Sequence, residues 1–147
     1  MAALHYFAFG SNLHSARLRE RAPSARALGA ARLAGFRLCL DKLANDGSGK
    51  LNLARDAAAA VWGVVFGIDG ADLEALHGFE PGYSQIRVEV HLRGGGPLEA
   101  RTFLSELRAQ GLRAQPWYRA LTLAGAHEHD LPADWIALLE RLPVATG

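Results

Sequence analysis

The sequence predicts an α+β fold: a mostly antiparallel, strongly curved sheet or small barrel with helices packed outside it. Three observations lead there. Residues 61–68 (Val-Trp-Gly-Val-Val-Phe-Gly-Ile) form a continuous apolar run rich in β-branched and aromatic side chains, the signature of a strand buried on both faces. Residues 86–92 and 98–104 flank the turn Gly94-Gly95-Gly96-Pro97 and read as a hairpin. The clearest helical segments, 116–126 and 132–142, follow the strands, each with Pro near its start. At 147 residues, with no linker or internal repeat, residues 1–147 read as a single domain.

In chain order, residues 5–9 are short, apolar and aromatic and end at the breaker cluster Gly10-Ser11-Asn12, a strand running into a tight turn. Residues 13–21 set Leu13, Ala16 and Leu18 near one helical face, and Pro23 stops that short helix. Period-two alternation over 36–40 predicts a strand. Residues 44–50 are a loop by composition, 51–54 are extended, and Ala57 to Ala60 read as a small-residue connection. Gly63 and Gly67 inside the apolar run suggest close backbone packing or a bulge. Asp69 reads as the capping residue of a short helix bearing Leu73 and Leu76. In 86–92, Ile86, Val88, Val90 and Leu92 alternate with Arg87, Glu89 and His91, a half-buried strand.

Composition narrows function. Half the residues are hydrophobic, 21% are charged and the net charge is +1, which excludes disorder for most of the length. Sixteen basic residues face fifteen acidic ones, interspersed, so no nucleic-acid partner is expected. The basic cluster Arg17, Arg19, Arg21 and Arg26 reads as a solvated helix face. No stretch approaches the ~18 apolar residues of a membrane span, and the first residues lack a signal peptide's basic and apolar regions. A single cysteine, Cys39, permits no internal disulfide, which suits a cytoplasmic location. No exposed apolar stripe is readable, and a homodimer is compatible with the sequence.

Two places suggest chemistry. At Gly10-Ser11-Asn12-Leu13, consecutive backbone N–H groups at a strand-to-helix turn can converge on a carboxylate or phosphate; the ordinary alternative is a good turn and nothing more. The segment has neither Gly-Lys-Ser/Thr nor Gly-x-Gly-x-x-Gly. Glu80, between Phe79 and Pro81-Gly82-Tyr83, is a carboxylate placed for partial desolvation, which would raise its pKa and suit it to proton transfer; the alternative is a solvated turn glutamate. Glu74, Glu89 and Asp69 fit a helix face, a wet strand face and a cap. His127 and His129, two apart in a polar connection, suit no common helical metal pair, so no metal is expected. Cys39, on an apolar strand without a basic neighbour, reads as inert and buried. Ser48 lacks the strand-turn-helix context of a nucleophilic serine.

Together these segments resemble the γ-glutamylcyclotransferase family. Residues 6–13, Tyr-Phe-Ala-Phe-Gly-Ser-Asn-Leu, are similar to its N-terminal signature, with Phe9 where Tyr is usual. Val61-Trp62-Gly63-Val64-Val65-Phe66 matches its central strand, and residues 76–80 resemble its Leu-Asp-x-x-Glu segment, with His77 in place of Asp. Pro116-Trp117-Tyr118 and the run from Ala124-Gly125-Ala126 to Leu131-Pro132 resemble its C-terminal segments. The likeness runs in order from residue 6 to about 142. The resemblance implies a small mixed barrel and a cofactor-independent cyclisation of a small γ-glutamyl substrate to 5-oxoproline. It further implies Glu80 as general base and then acid, backbone donors at Gly10, Ser11, Asn12 and Leu13, and Tyr6 and Tyr118 lining the pocket. The glutathione-specific branch, whose first strand leads into Gly-Ser-Leu, fits less well because Asn12 is present. The turn after Glu80 is shorter than the family's, which bears on substrate choice. A binding protein that kept the fold and pocket is the other class of reading; a retained Glu80 argues against it.

Overall fold

In the computed structural model, which describes residues 3–146, five strands close into a barrel in the order β1-β3-β2-β4-β5, with four α-helices outside. The strands are β1 (Ala3–Ala8), β2 (Arg26–Leu43), β3 (Gly49–Asp69), β4 (Ser84–Leu92) and β5 (Pro97–Leu104). The helices are α1 (Ser15–Arg21), α2 (Gly70–Gly78), α3 (Pro116–Glu128) and α4 (Ala133–Glu140), and a 3-10 turn spans Ser11–Leu13. Neighbouring strands are antiparallel except β1 and β5, which meet in parallel at Tyr6 and Arg101, so the barrel is mixed. Among the described residues no helix is long and apolar enough to cross a membrane.

The hydrophobic run at 61–68 forms the barrel's inner spine. Val61, Val64, Val65, Phe66 and Ile68 are buried, and β1 pairs along it from Ala3↔Asp69 to Ala8↔Val64. Burial of such side chains contributes roughly 1.5–3 kcal/mol each. Gly63 is the close approach expected of it: a Cβ there would collide with the Ala8 carbonyl and lie 2.7 Å from the Phe7 ring. Gly67 has no such neighbour within 3.9 Å; its nearest atom is the Arg26 carbonyl oxygen at 4.0 Å.

The main departure from the sequence reading is the reach of β2 and β3. They form one long bent ribbon in place of a short strand at 36–40 and a separate one at 61–68. Register shifts lie between Ala27/Gly29, Ala34/Phe36 and Leu40/Lys42, and Gly35 takes a positive φ of 87° where the ribbon bends. Ala57 to Ala60 lie within β3, yet the ladder jumps from Ala34↔Ala60 to Phe36↔Arg55, so residues 56–59 pair with nothing on β2. The small residues do mark an interruption, but one that the strand spans.

Three local readings also change. Leu13 belongs to the 3-10 turn and α1 begins at Ser15; Ser15 and Leu18 face inward while Ala16 is exposed. Asp69 occupies the cap position of α2 but its side chain makes no cap bond. Ser24 instead ties the start of α2 to the segment before β2: Asp69 N–H donates to Ser24 Oγ at 2.9 Å, and Ser24 N–H donates to Asp72 Oδ2 at 2.8 Å. Cys39 is half-buried, and the Arg37 guanidinium on the same strand face lies 2.8 Å from its Sγ. Burial is nevertheless the larger influence and holds the thiol above its ordinary pKa.

The polar stretch 127–130 acts as a clasp. Glu128 Oε1 accepts from the Ser15 N–H at 3.0 Å, satisfying an open donor at the start of α1, and His129 Nε2 lies 3.1 Å from Ser15 Oγ. That clasp fixes the end of α3 against the turn at 11–13. Gly125 brings the two backbones together, since a Cβ there would lie 2.5 Å from Leu13 Cβ.

Candidate active site

A cleft of about 440 Å3, open mouth included, lies beside the end of β1. Each wall comes from a different element. The end of β1 and the turn after it supply Tyr6, Phe9, Gly10, Ser11 and Asn12; α1 supplies Arg17 and Arg21; the start of β3 supplies Lys50 and Leu51. Glu80 and Tyr83 come from the turn after α2, Phe103 from β5 and Tyr118 from α3. Of the residues singled out in the sequence, Tyr6, Gly10, Ser11, Asn12, Glu80 and Tyr118 meet here. Leu13 does not: it is fully buried, and its N–H donates to the Gly10 carbonyl at 2.9 Å to close the 3-10 turn. Of the four turn residues expected to offer backbone donors, Gly10, Ser11 and Asn12 line the cleft.

Glu80 sits in a tight local structure. Its N–H donates to His77 O at 3.0 Å, the Tyr83 N–H donates to Glu80 O at 3.2 Å, and the His77 ring lies 2.8 Å from Tyr83 O. His77 in turn packs on Phe103 with ring centroids 5.0 Å apart. The Glu80 side chain is only 14% exposed, and Arg21 Nη1 lies 3.8 Å from its Oε1. Burial pushes the Glu80 carboxyl above its ordinary pKa; Lys50, Arg21 and Arg17, and the Asn12 amide, pull it back part of the way.

Three tyrosines surround this carboxylate. Asn12 Nδ2 donates to Tyr6 Oη at 3.0 Å, leaving Asn12 Oδ1 buried with no hydrogen-bond partner. Tyr118 Oη accepts from the Leu51 N–H at 3.1 Å, while Tyr83 Oη donates to the Leu51 carbonyl at 2.7 Å. One residue of β3 thus holds two phenols. Burial raises the pKa of all three tyrosines, and the charge of Glu80 adds to each, so they stay neutral. A Cβ at Gly10 would stand 2.8 Å from Tyr118 Oη, so any larger residue there would displace the phenol. The arrangement is chemically simple: a desolvated carboxylate able to take and return a proton, among neutral phenols, a free amide acceptor and a backbone turn.

Sequence reasoning missed Arg17, Arg21, Lys50, Leu51, Phe9, Phe103 and Tyr83. The arginines correct the reading of a solvated helix face. Arg19 and Arg26 are exposed, but Arg17 and Arg21 turn inward, over the rings of Trp117 at 5.5 Å and Phe79 at 4.8 Å. Their i,i+4 spacing was the available signal, since it puts both on one face of α1. Tyr83 stood in the segment containing Glu80; nothing local showed that its ring turns back under the cleft.

A barrel of this order with a buried turn carboxylate defines a class also recognisable by comparison. Residues 60–139 match the AIG2-like family. Over 139 residues the chain is 30% identical to the human protein named gamma-glutamylcyclotransferase, covering 88% of this chain and 73% of that protein. The mouse protein of the same name matches to the same extent, 30% over 139 residues. A solved structure named gamma-glutamyl cyclotransferase superposes with a TM-score of 0.91 at 27% identity, covering 99% of this chain and 91% of the other. The chain belongs to the γ-glutamylcyclotransferase family, within the AIG2-like group.

Proposed function

We propose that the protein is a cofactor-independent γ-glutamylcyclotransferase that converts a γ-glutamyl amino acid or amide to 5-oxoproline and a free amine. The observation that carries this reading is the buried Glu80 carboxylate, held above its ordinary pKa at the wall of a cleft. The reaction needs one group that works in both directions. The substrate's α-ammonium gives a proton to Glu80, and the resulting amine attacks the γ-carbonyl of the same molecule, forming the new C–N bond. Glu80 passes that proton to the leaving nitrogen as the original amide bond breaks, then carries the ring nitrogen's second proton to the departing amine, which leaves as an ammonium. No water or cofactor enters the balance. A carboxyl whose pKa is raised toward neutrality suits both steps, and tethering of the nucleophile makes positioning a large part of the rate.

The remaining geometry supports the same chemistry. The unpartnered Asn12 Oδ1 is an acceptor for the substrate's N–H. The turn at 10–12 and the neutral Tyr6 and Tyr118 supply polar groups for the substrate carboxylate or the developing oxyanion. The proposal includes a cytoplasmic setting, supported by the single cysteine.

The test is 5-oxoproline release from γ-glutamyl amino acids, γ-glutamylamines and glutathione, with Glu80→Gln alongside. Gln keeps the shape and cannot shuttle the proton, so turnover falls roughly 10²–10⁴-fold or more with the fold intact. Near-wild-type turnover by Glu80→Gln would remove the base assignment.

A further inference from the structure

We propose that Arg17 selects the substrate's leaving group, favouring amines that carry a carboxylate. The inference rests on the cyclotransferase reading and adds to it a residue that reads the part of the substrate which departs. Three cations line the cleft, Arg17, Arg21 and Lys50. Arg21 is matched by Glu80 at 3.8 Å. Among the described residues neither Arg17 nor Lys50 forms an ion pair. Arg17 Nε is moreover buried and hydrogen-bonded to nothing. A guanidinium in that state is unusual, because a buried donor left unmade costs more than the bond itself contributes. An anion supplied by a ligand resolves it.

Two cations outside any ion pair fit a ligand with two carboxylates. A γ-glutamyl amino acid brings two, one on the γ-glutamyl moiety and one on the leaving amino acid; a simple γ-glutamylamine brings one. Position assigns Arg17 to the second. Its guanidinium lies over the Trp117 ring, and Trp117 is 50% exposed, so the pair stands at the rim of the cleft. The γ-glutamyl moiety must reach inward to Glu80, Asn12 and the turn at 10–12, which leaves the departing group directed outward past Arg17. The cation–π contact with Trp117 restrains the guanidinium, and its fork can hold a carboxylate through two bonds.

The experiment compares γ-glutamyl-alanine with γ-glutamyl-ethylamide, which differ only by the leaving group's carboxylate, on wild type, Arg17→Met and Arg17→Lys. Met keeps an unbranched stem against Trp117. The expected result is a wild-type preference for γ-glutamyl-alanine in kcat/KM that shrinks roughly 10- to 100-fold in Arg17→Met, chiefly through KM. Arg17→Lys recovers part of it. A purely structural role for Arg17 would depress both substrates alike and leave the ratio unmoved, which would overturn the inference while the cyclotransferase reading stood. Equal use of both substrates by wild type would do the same. Release of 5-oxoproline from neither would defeat the reading and the inference together.

Discussion

Substituting Gly125 by Ala sets two well-understood effects against each other. In an open helix the change stabilises by about 1 kcal/mol, because Ala loses less backbone entropy. Gly125 is buried in α3 against the 3-10 turn, and its added Cβ would lie 2.5 Å from Leu13 Cβ and nearer still to the Leu13 carbonyl carbon and His14 nitrogen. Ordinary contact begins at 3.4 Å, so α3 and the turn must separate by about 1 Å. The turn has little room to give, since Leu13 is fully buried and its N–H is bonded to Gly10 O. The strain of such overpacking is about 1–3 kcal/mol. Tyr118 lies two helical turns back on the same face, so the shift also threatens its 3.1 Å bond from the Leu51 N–H, worth about 1 kcal/mol. The net expectation is a loss of roughly 2 kcal/mol, or a drop in Tm of roughly 4–8 °C for a chain of this size. Displacement of the phenol by about 1 Å lowers kcat/KM by about 100-fold. Thermal unfolding by circular dichroism and 5-oxoproline release read the two effects. Gly78→Ala is the control: nothing lies within 4 Å of its added Cβ, and its Tm should hold or rise slightly. A Gly125→Ala protein that melts higher than wild type with kcat/KM intact would refute the packing argument.

Two further predictions concern stability. Glu80→Gln should raise Tm at pH 7.5 and lose that advantage on acidification toward pH 4. The folded pKa of Glu80 lies above its unfolded value, so its contribution to stability is fully present below the unfolded pKa and is lost as pH rises through the folded one; a variant that melts lower than wild type at pH 7.5 would contradict this. Asn52 is fully buried, donates to Asp41 Oδ1 and to Ser105 O at 2.9 Å each, and accepts from the N–H groups of Leu53 and Ser105. Asn52→Leu strands those partners, at about 3 kcal/mol in all, and should lower Tm by roughly 6–12 °C; a change under 2 °C would mean that water replaces the amide.

What the sequence disclosed and what it hid divide along physical lines. The turn at 10–12, the apolar run at 61–68 and the hairpin of β4 and β5 are written in adjacent residues, and each is where its local pattern put it. The length of β2 and β3 is not local. Ala and Arg stretches carry weak strand preference, and what extends the ribbon is fifteen residue pairs made across it, from Arg26↔Gly67 to Leu43↔Gly49. The same division runs through the site. Glu80 and the turn at 10–12 stand in short motifs whose residue types already suggest proton transfer and anion binding. Lys50, Leu51 and Tyr83 matter only because closing the barrel brings the start of β3 under the turn after α2. The arginines of α1 are the instructive case. On a short helix, charge defaults to solvent; the i,i+4 spacing puts Arg17 and Arg21 on one face and Arg19 on another, but nothing within 15–21 says which face meets the cleft. What distinguishes them is Trp117 on α3 and Phe79 after α2, aromatic faces roughly sixty to a hundred residues away that turn two of the three guanidinium groups inward. The group proposed to react is therefore legible in sequence because its chemistry depends on residue type, whereas the residue proposed to choose the substrate is legible only in the folded chain, because its role depends on which charges lack an ion pair once the barrel has closed.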